Sequence, residues 1–437
     1  MRFSLLSKFK PKSEFSRNVL TLITGTTIAQ AIPIAISPIL TRIYTPEDFG
    51  IFGLYISITV MIGVFVTGKY ELAIMLPQEE EEAANILVLS ILITISMSLL
   101  TFLFIYIWHA DIMNLFSNKE LSDYLYFMPL TILFIGSYQA FNYWSNRQKN
   151  YKLMSQSIII KAISNATGNI SFGFLNYSFA GLIFTNIITS LIALCYIVLK
   201  NIASIHKHNI TYEKILSLIV KYKQFPTHTA PQNFIYQLTL QLPILIITIM
   251  FSLPILGFFI LANRILLTPL SILGNSLGQV FYQKGTSLYT DNKNELYYSI
   301  RSMFIKLLML SSIVGMTIIY FLPDLFSILF GNRWIQGGAI AQHLLIYLIY
   351  RFALEPFTRI YLISKNNHFY FKWEMSKFLT FIIFFSSFYF LKIDSIKIFF
   401  ISFAIINLIF DIILSAPILY RKSFLWRQKY SNYNDQR

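Results

Sequence analysis

Apolar runs of about 20 residues recur along the chain from Val19 to Tyr420, and charges rarely interrupt them. At a helical rise of 1.5 Å per residue, such a run matches the roughly 30 Å hydrocarbon core of a bilayer. In lipid only helices and closed barrels satisfy their own backbone polar groups, and barrel strands would show alternating segments of roughly 10 residues. These runs are longer and do not alternate. Charged residues make up 13% of the 437 and the mean hydropathy is +0.59, whereas soluble domains carry about a quarter charged residues. The expected fold class is an all-α polytopic membrane protein.

About twelve spans are expected: 18–43, 48–76, 82–107, 121–146, 152–175, 178–200, 228–250, 254–282, 296–321, 338–364, 371–391 and 395–420. Ala29-Gln30-Ala31 has the look of a secretory cleavage site, but the apolar run continues through Ile32 to Ile39 and reads as a first span. An even count places both termini on one side. Basic residues choose that side: Lys8, Lys10, Lys12, Arg17, Arg147, Lys149, Lys200, Lys207, Lys214, Lys221, Lys223, Arg421 and Lys422 share one face, against Lys119, Arg333, Lys392 and Lys397 on the other. Both termini are therefore expected in the cytoplasm. The net charge of +15 orients the chain and meets anionic membrane lipids, and no nucleic-acid partner is expected. Glu79-Glu80-Glu81-Glu82 reads as a solvated turn whose acids favour the next helix start.

The expected organisation is a basic N-terminus (1–17), an N-lobe of six spans (18–200), a cytoplasmic linker (201–227), a C-lobe of six spans (228–420) and a basic tail (421–437). The single cysteine, Cys195, excludes an intrachain disulfide and a cysteine metal cluster, and the six histidines show no HxxxH pairing. There is no P-loop, no nucleotide-sugar domain and no large extracytoplasmic loop. The chain is not expected to be an enzyme, and no cofactor is expected.

A shift of about 207 residues aligns Phe49-Gly50-Ile51-Phe52 with Leu256-Gly257-Phe258-Phe259, and Gln30 with Gln237. In both places a span ends, a proline follows (Pro46, Pro254), and a Gly-aromatic pair opens the next helix. Parallel repeats flanking a midplane site are a transporter device. The stretch LTRIYTPEDFGIFGLY, the turn PQEEEEAANI and the later LGFFILANRILLTPLSILGNSLGQVFYQK resemble the oligosaccharide flippases of bacterial polysaccharide biosynthesis. These belong to the multidrug/oligosaccharidyl-lipid/polysaccharide exporter superfamily. The resemblance covers essentially the whole chain in span order and loop length. It implies a V-shaped pair of six-helix lobes moving lipid-linked sugars by alternating access.

An ionisable group at mid-bilayer costs about 2.5–3.5 kcal/mol on insertion scales, so each one needs a reason. Lys161, Arg264 and Arg351 fall nearest the midplane, Lys69 and Lys377 in the inner third, Arg359 near the inner interface and Arg42 near the outer one. Lys69, Arg42 and Arg359 join the three deep cations as expected substrate-binding residues. Amides at helical spacing, including Gln30, Gln139, Asn165, Gln237, Gln241 and Asn275, are expected to line a polar lumen. Joining helices by hydrogen bonds is their competing role. Glu355, Glu71 and Asp411 are candidates for ion coupling, although Glu355 at i+4 from Arg351 also suits local neutralisation. Arg42 has a competing role too, pairing with Glu47 or Asp48.

A cationic, amide-rich lumen suits a diphosphate, since arginine pairs its oxygens in bidentate fashion and lysine supplies point charge. Sugars would use the amides and aromatic faces such as Tyr124, Tyr126, Tyr138 and Trp144. The expected activity is a flippase moving an undecaprenyl-diphosphate-linked oligosaccharide repeat unit from the cytoplasmic to the extracytoplasmic leaflet of the bacterial inner membrane. The setting would be O-antigen or capsule assembly, with a polysaccharide polymerase and a chain-length regulator as further partners. The alternatives are a multidrug antiporter of the same superfamily and a membrane polymerase or glycosyltransferase. The first would be expected to carry a buried carboxylate in spans 1, 7 or 8, which the sequence lacks there.

Overall fold

The computed structural model describes residues 14–116, 120–205, 207–364, 366–421, 423 and 425–426. The expected N-terminus and tail therefore lie largely outside the described residues. Among the described residues sixteen α-helices follow one another, and no strand occurs. The first ten are α1 (Glu14–Ile43), α2 (Pro46–Gly63), α3 (Tyr70–Ala73), α4 (Glu80–Phe116), α5 (Met128–Arg147), α6 (Tyr151–Phe174), α7 (Ser178–Ile205), α8 (Tyr212–Lys221), α9 (Ala230–Met250) and α10 (Leu253–Asp291). The rest are α11 (Lys293–Ile319), α12 (Leu322–Phe330), α13 (Ile335–Leu354), α14 (Ile360–Ile363), α15 (Asn367–Phe390) and α16 (Ile396–Leu419). The chain is an all-α, multi-pass membrane protein.

Among the described residues, nine helical stretches are long and apolar enough to cross a membrane. They coincide with nine of the expected spans. The other three expected spans carry polar interruptions too: α2 starts with Glu47 and Asp48 and stops at Gly63, α6 carries Lys161, Asn165 and Asn169, and α15 carries Glu374 and Lys377. The chain divides into two compact units, Met1–Ile260 and Leu261–Arg437.

In the first unit, the stretch LTRIYTPEDFG closes α1 and opens α2. Thr45 is the N-cap of α2, and its hydroxyl accepts from the Asp48 amide at 3.1 Å while the Asp48 carboxylate accepts from the Thr45 amide at 2.7 Å. This reciprocal box satisfies two amides that a helix start otherwise leaves bare. The second carboxylate oxygen of Asp48 accepts from the Phe179 amide at 2.9 Å and from the Ser178 hydroxyl, which ties α2 to the start of α7. Asp48 is thus committed. Arg42 is exposed, and no ion pair joins it to Glu47 or Asp48, so its expected local pairing is not formed.

The echo between residues 46–52 and 253–259 is a physical contact within this unit. A Cβ at Gly50 would collide with the Leu253 carbonyl, and a Cβ at Gly257 would collide with the Pro46 carbonyl. The pairs are reciprocal under the same shift of 207 residues. Helices approach this closely only through small residues, which explains why a Gly-aromatic pair recurs at both starts.

The expected linker 201–227 contains a helix. Ile215, Leu218 and Tyr222 fall on one face of α8 and its end, and they are buried against a core that includes Tyr70, Leu87, Phe141 and Trp144. The acidic turn is not simply solvated, because Glu80 pairs with Arg147 at 3.3 Å, Glu81 with Lys214 and Glu82 with Lys221 at 2.5 Å. The Glu82 hydrogen bond holds the exposed Lys221 ammonium above its ordinary pKa. Exposed pairs are screened by water and stabilise little, against roughly 1.5–3 kcal/mol for a fully buried Leu or Ile. Apolar burial therefore holds α8 in place and the ion pairs set its register.

Filling the glycine crossing should be costly, since backbone faces backbone and no side chain can yield. Gly50→Val or Gly257→Val is expected to lower stability by about 1–3 kcal/mol, read as a lower melting temperature in detergent. Gly63→Ala, where no atom lies within 4 Å of the added carbon, should leave the melting temperature unchanged.

Candidate functional site

The expected second span, 48–76, is broken. Helix α2 stops at Gly63, residues 64–69 form tight turns, and α3 begins at Tyr70. Gly68 and Lys69 both have left-handed backbones, with φ of 58° and 61°. Glycine adopts that conformation freely and lysine rarely does. The turn backbone bonds internally, with the Gly68 amide donating to the Phe65 carbonyl at 2.8 Å and the Tyr70 amide to the Thr67 carbonyl at 3.2 Å. Non-helical backbone within a membrane is tolerated where protein or a cavity surrounds it. Here it borders a cavity of about 210 Å³ in the first unit, lined by Thr59, Gly63, Val66, Lys69, Ile132, Gln139 and Gln237 among others.

Behind the cavity wall lies Glu71, which is wholly buried. Its carboxylate accepts from the Gln139 side-chain amide at 2.9 Å and from the Thr67 hydroxyl, and the Lys69 ammonium stands 3.7 Å away. Arg147 closes the far end of this segment, donating to the Ile74 carbonyl at 2.9 Å while pairing with Glu80. Three residues expected in a lumen, Lys69, Gln139 and Gln237, thus share one cavity, and Glu71 holds two of them. Thr67 and Gly68 did not stand out in the sequence. The signals for them were the i, i+4 spacing of Thr67 and Glu71 and a lone Gly inside an apolar run.

The second unit carries a different cluster. Arg351 on α13 pairs through Nε with Glu355 at 2.7 Å and donates from Nη1 to Asp411 of α16 at 2.9 Å. Asp411 is buried and Glu355 about a third exposed. Helix α13 ends at Leu354, so Arg359 does not continue its face and instead packs beside Gly278 of α10. The Lys377 ammonium sits over the rings of Trp373 and Phe381 at 5.3 and 5.6 Å, a cation–π position. Arg351 is therefore neutralised by two acids. The i+4 pairing with Glu355 is realised, and Asp411, 60 positions further along the chain, joins it.

Other expected site residues stand apart. Lys161 is partly exposed, with its ammonium 5.5 Å from the Tyr138 ring. Asn165 accepts from Asn169 at 2.9 Å on the same helix. Gln30 is exposed, and Gln241 and Arg264 are partly exposed. The side chain of Asn275 lies outside the described residues. Trp144, an expected sugar contact, is fully buried and donates to the Ser204 hydroxyl at 3.1 Å, so it belongs to the core. Among the described residues no group of three or more His, Cys, Asp or Glu is placed to hold a metal ion.

Residues 39–337 match the protein family described as "Polysaccharide biosynthesis protein". The chain belongs to that family. No curated protein matches this polysaccharide biosynthesis family member in sequence. Among solved structures, it is similar to the lipid II flippase MurJ in an inward closed conformation, at 14% identity and a TM-score of 0.64 over 92% of this chain and 99% of that one. It is also similar to the MATE multidrug transporter DinF-BH in a ligand complex, at 16% identity and a TM-score of 0.62 over 93% and 97% of the two chains. A mutant of the Vibrio cholerae MATE transporter VcmN gives 13% identity and a TM-score of 0.57 over 94% and 97%. This family member therefore has the fold of the multidrug/oligosaccharidyl-lipid/polysaccharide exporters.

Removing one partner of a buried ion pair leaves an uncompensated charge and costs about 3–5 kcal/mol. Asp411→Ala is expected to destabilise the second unit on that scale, read by thermal unfolding. Glu355→Ala should cost clearly less, because its carboxylate is the more exposed of the two.

Proposed function

We propose that this protein is a flippase that carries an undecaprenyl-diphosphate-linked oligosaccharide repeat unit from the cytoplasmic to the extracytoplasmic leaflet. It works in the bacterial inner membrane, by alternating access of two six-span lobes, for O-antigen or capsule assembly. The observation that carries this reading is the broken second segment, which puts Lys69 on the wall of a cavity shared with Gln139 and Gln237. The family match in polysaccharide biosynthesis supports a saccharide over a drug. In this reading Lys69 meets the diphosphate as a point charge and the amides meet sugar hydroxyls, while the polyprenyl tail stays in lipid. Lys161, Arg264, Arg359 and Arg42 extend the cationic path. Arg351, Glu355 and Asp411 serve chiefly as a neutralised brace for the second lobe. An inside-negative potential of 100 mV offers about 2.3 kcal/mol for each negative charge moved fully outward. A polymerase and a chain-length regulator would receive the delivered unit.

The test is translocation of a fluorescent polyprenyl-diphosphate oligosaccharide by the full chain in proteoliposomes. Lys69→Ala is expected to lower the rate at least about tenfold, the scale of losing one charge-assisted contact, with folded yield unchanged. Gln237→Ala should have a smaller effect. Failure of the wild-type chain to move this lipid, or export of a cationic drug in its place, would overturn the reading.

A further inference from the structure

A site built only to hold phosphate would leave its lysine free to bind. Lys69 is not free, because a fully buried carboxylate stands 3.7 Å from it. That distance is at the long end for an ion pair, and the nearer partners of Glu71 are neutral donors, Gln139 at 2.9 Å and the Thr67 hydroxyl. The carboxylate is thus held in place without the lysine. Of the pair, only Lys69 lines the cavity. Its ammonium, on a flexible four-carbon stem, has room to swing into the cavity while Glu71 keeps two hydrogen bonds.

We propose that Glu71 is an internal counter-anion, which neutralises Lys69 when the cavity is empty and competes with the substrate's diphosphate for it. This inference rests on the flippase reading and adds the regulation of the same site. The competition has two consequences. An empty cavity carries no isolated ammonium, which lipid surroundings would penalise. Bound diphosphate is held less tightly than Lys69 alone would hold it, and it leaves faster because Glu71 reclaims the lysine on release. A transporter gains by this, since affinity shared equally by loading and release states does not speed turnover. Glu71 is therefore a positioning residue acting through Lys69, not a contact of the substrate.

The test uses the full chain in lipid nanodiscs, with inorganic diphosphate as the binding probe, and in proteoliposomes for translocation. Glu71→Gln keeps the shape but removes the charge; its amide oxygen can still accept from Gln139, and its amide nitrogen can donate to the Thr67 hydroxyl in a reversed hydrogen bond. It is expected to bind diphosphate about tenfold more tightly, equivalent to roughly 1.4 kcal/mol, and to translocate more slowly. Glu71→Asp, which restores the charge, should return both towards wild type. A purely structural Glu71 would instead weaken binding and translocation together, and Glu71→Gln that is folded but binds no more tightly overturns the proposal. Should Glu71→Gln fail to fold, infrared difference spectra of the wild-type chain decide the matter. Diphosphate should shift a buried carboxylate band, and Lys69→Ala should abolish that shift; no shift in the wild type also overturns it. If the wild-type chain translocates the lipid yet shows neither effect, this inference fails and the flippase reading stands. If it neither binds diphosphate nor translocates, the flippase reading itself fails.

Discussion

A helix in lipid must keep its backbone hydrogen bonds to itself, because no water is present to replace them. The expected second span departs from a continuous helix between Gly63 and Tyr70, and the candidate site depends on that departure. The left-handed pair Gly68–Lys69 redirects the chain so that a lysine faces a cavity and, two residues later, a glutamate faces the core. A continuous helix would have set these side chains about 200° apart, at 3.6 residues per turn, and the carboxylate would not reach both Gln139 and the ammonium.

The two units treat buried charge differently. In the second, Arg351 is gripped at 2.7 and 2.9 Å by two carboxylates, which closes the cluster. In the first, the ammonium and carboxylate are looser and the carboxylate has independent donors. Similar residue types in apolar runs thus form a tightly paired cluster in one place and a looser pair beside a cavity in the other. Deep position alone did not separate them: Arg351 lay nearer the expected midplane than Lys69, yet Lys69 is the one at the described cavity.

Much of the fold was legible in the apolar runs. Nine expected spans coincide with helices long and apolar enough to cross a membrane, and the other three carry charges and, in 48–76, a break. The Gly-aromatic echo was legible as a pattern, and its meaning is the reciprocal contact of Gly50 with Leu253 and Gly257 with Pro46. The site was legible in part. Lys69, Glu71, Gln139 and Gln237 were visible as polar residues in apolar runs, but so were Gln30 and Asn165, which lie elsewhere. The amphipathic spacing of Ile215, Leu218 and Tyr222 does not mark a helix inside a basic linker, because a helix of ten residues is too short to stand out there.

The sequence by itself determined the solvent. Runs of apolar residues that match a bilayer admit only helices, and the helix pattern follows from counting. It also determined which residues carry an unusual energetic burden, since every charge in such a run costs free energy wherever it points. Partnership was decided only by tertiary structure. Whether Asp48 would pair with Arg42 or cap α2 and hold α7, and which distant side chain would meet Glu71, depended on contacts across 68 to 131 positions of chain. Periodicity places a side chain on a face of its own helix. It does not say which neighbour that face meets, and in a low-dielectric interior the neighbour fixes what a charge does.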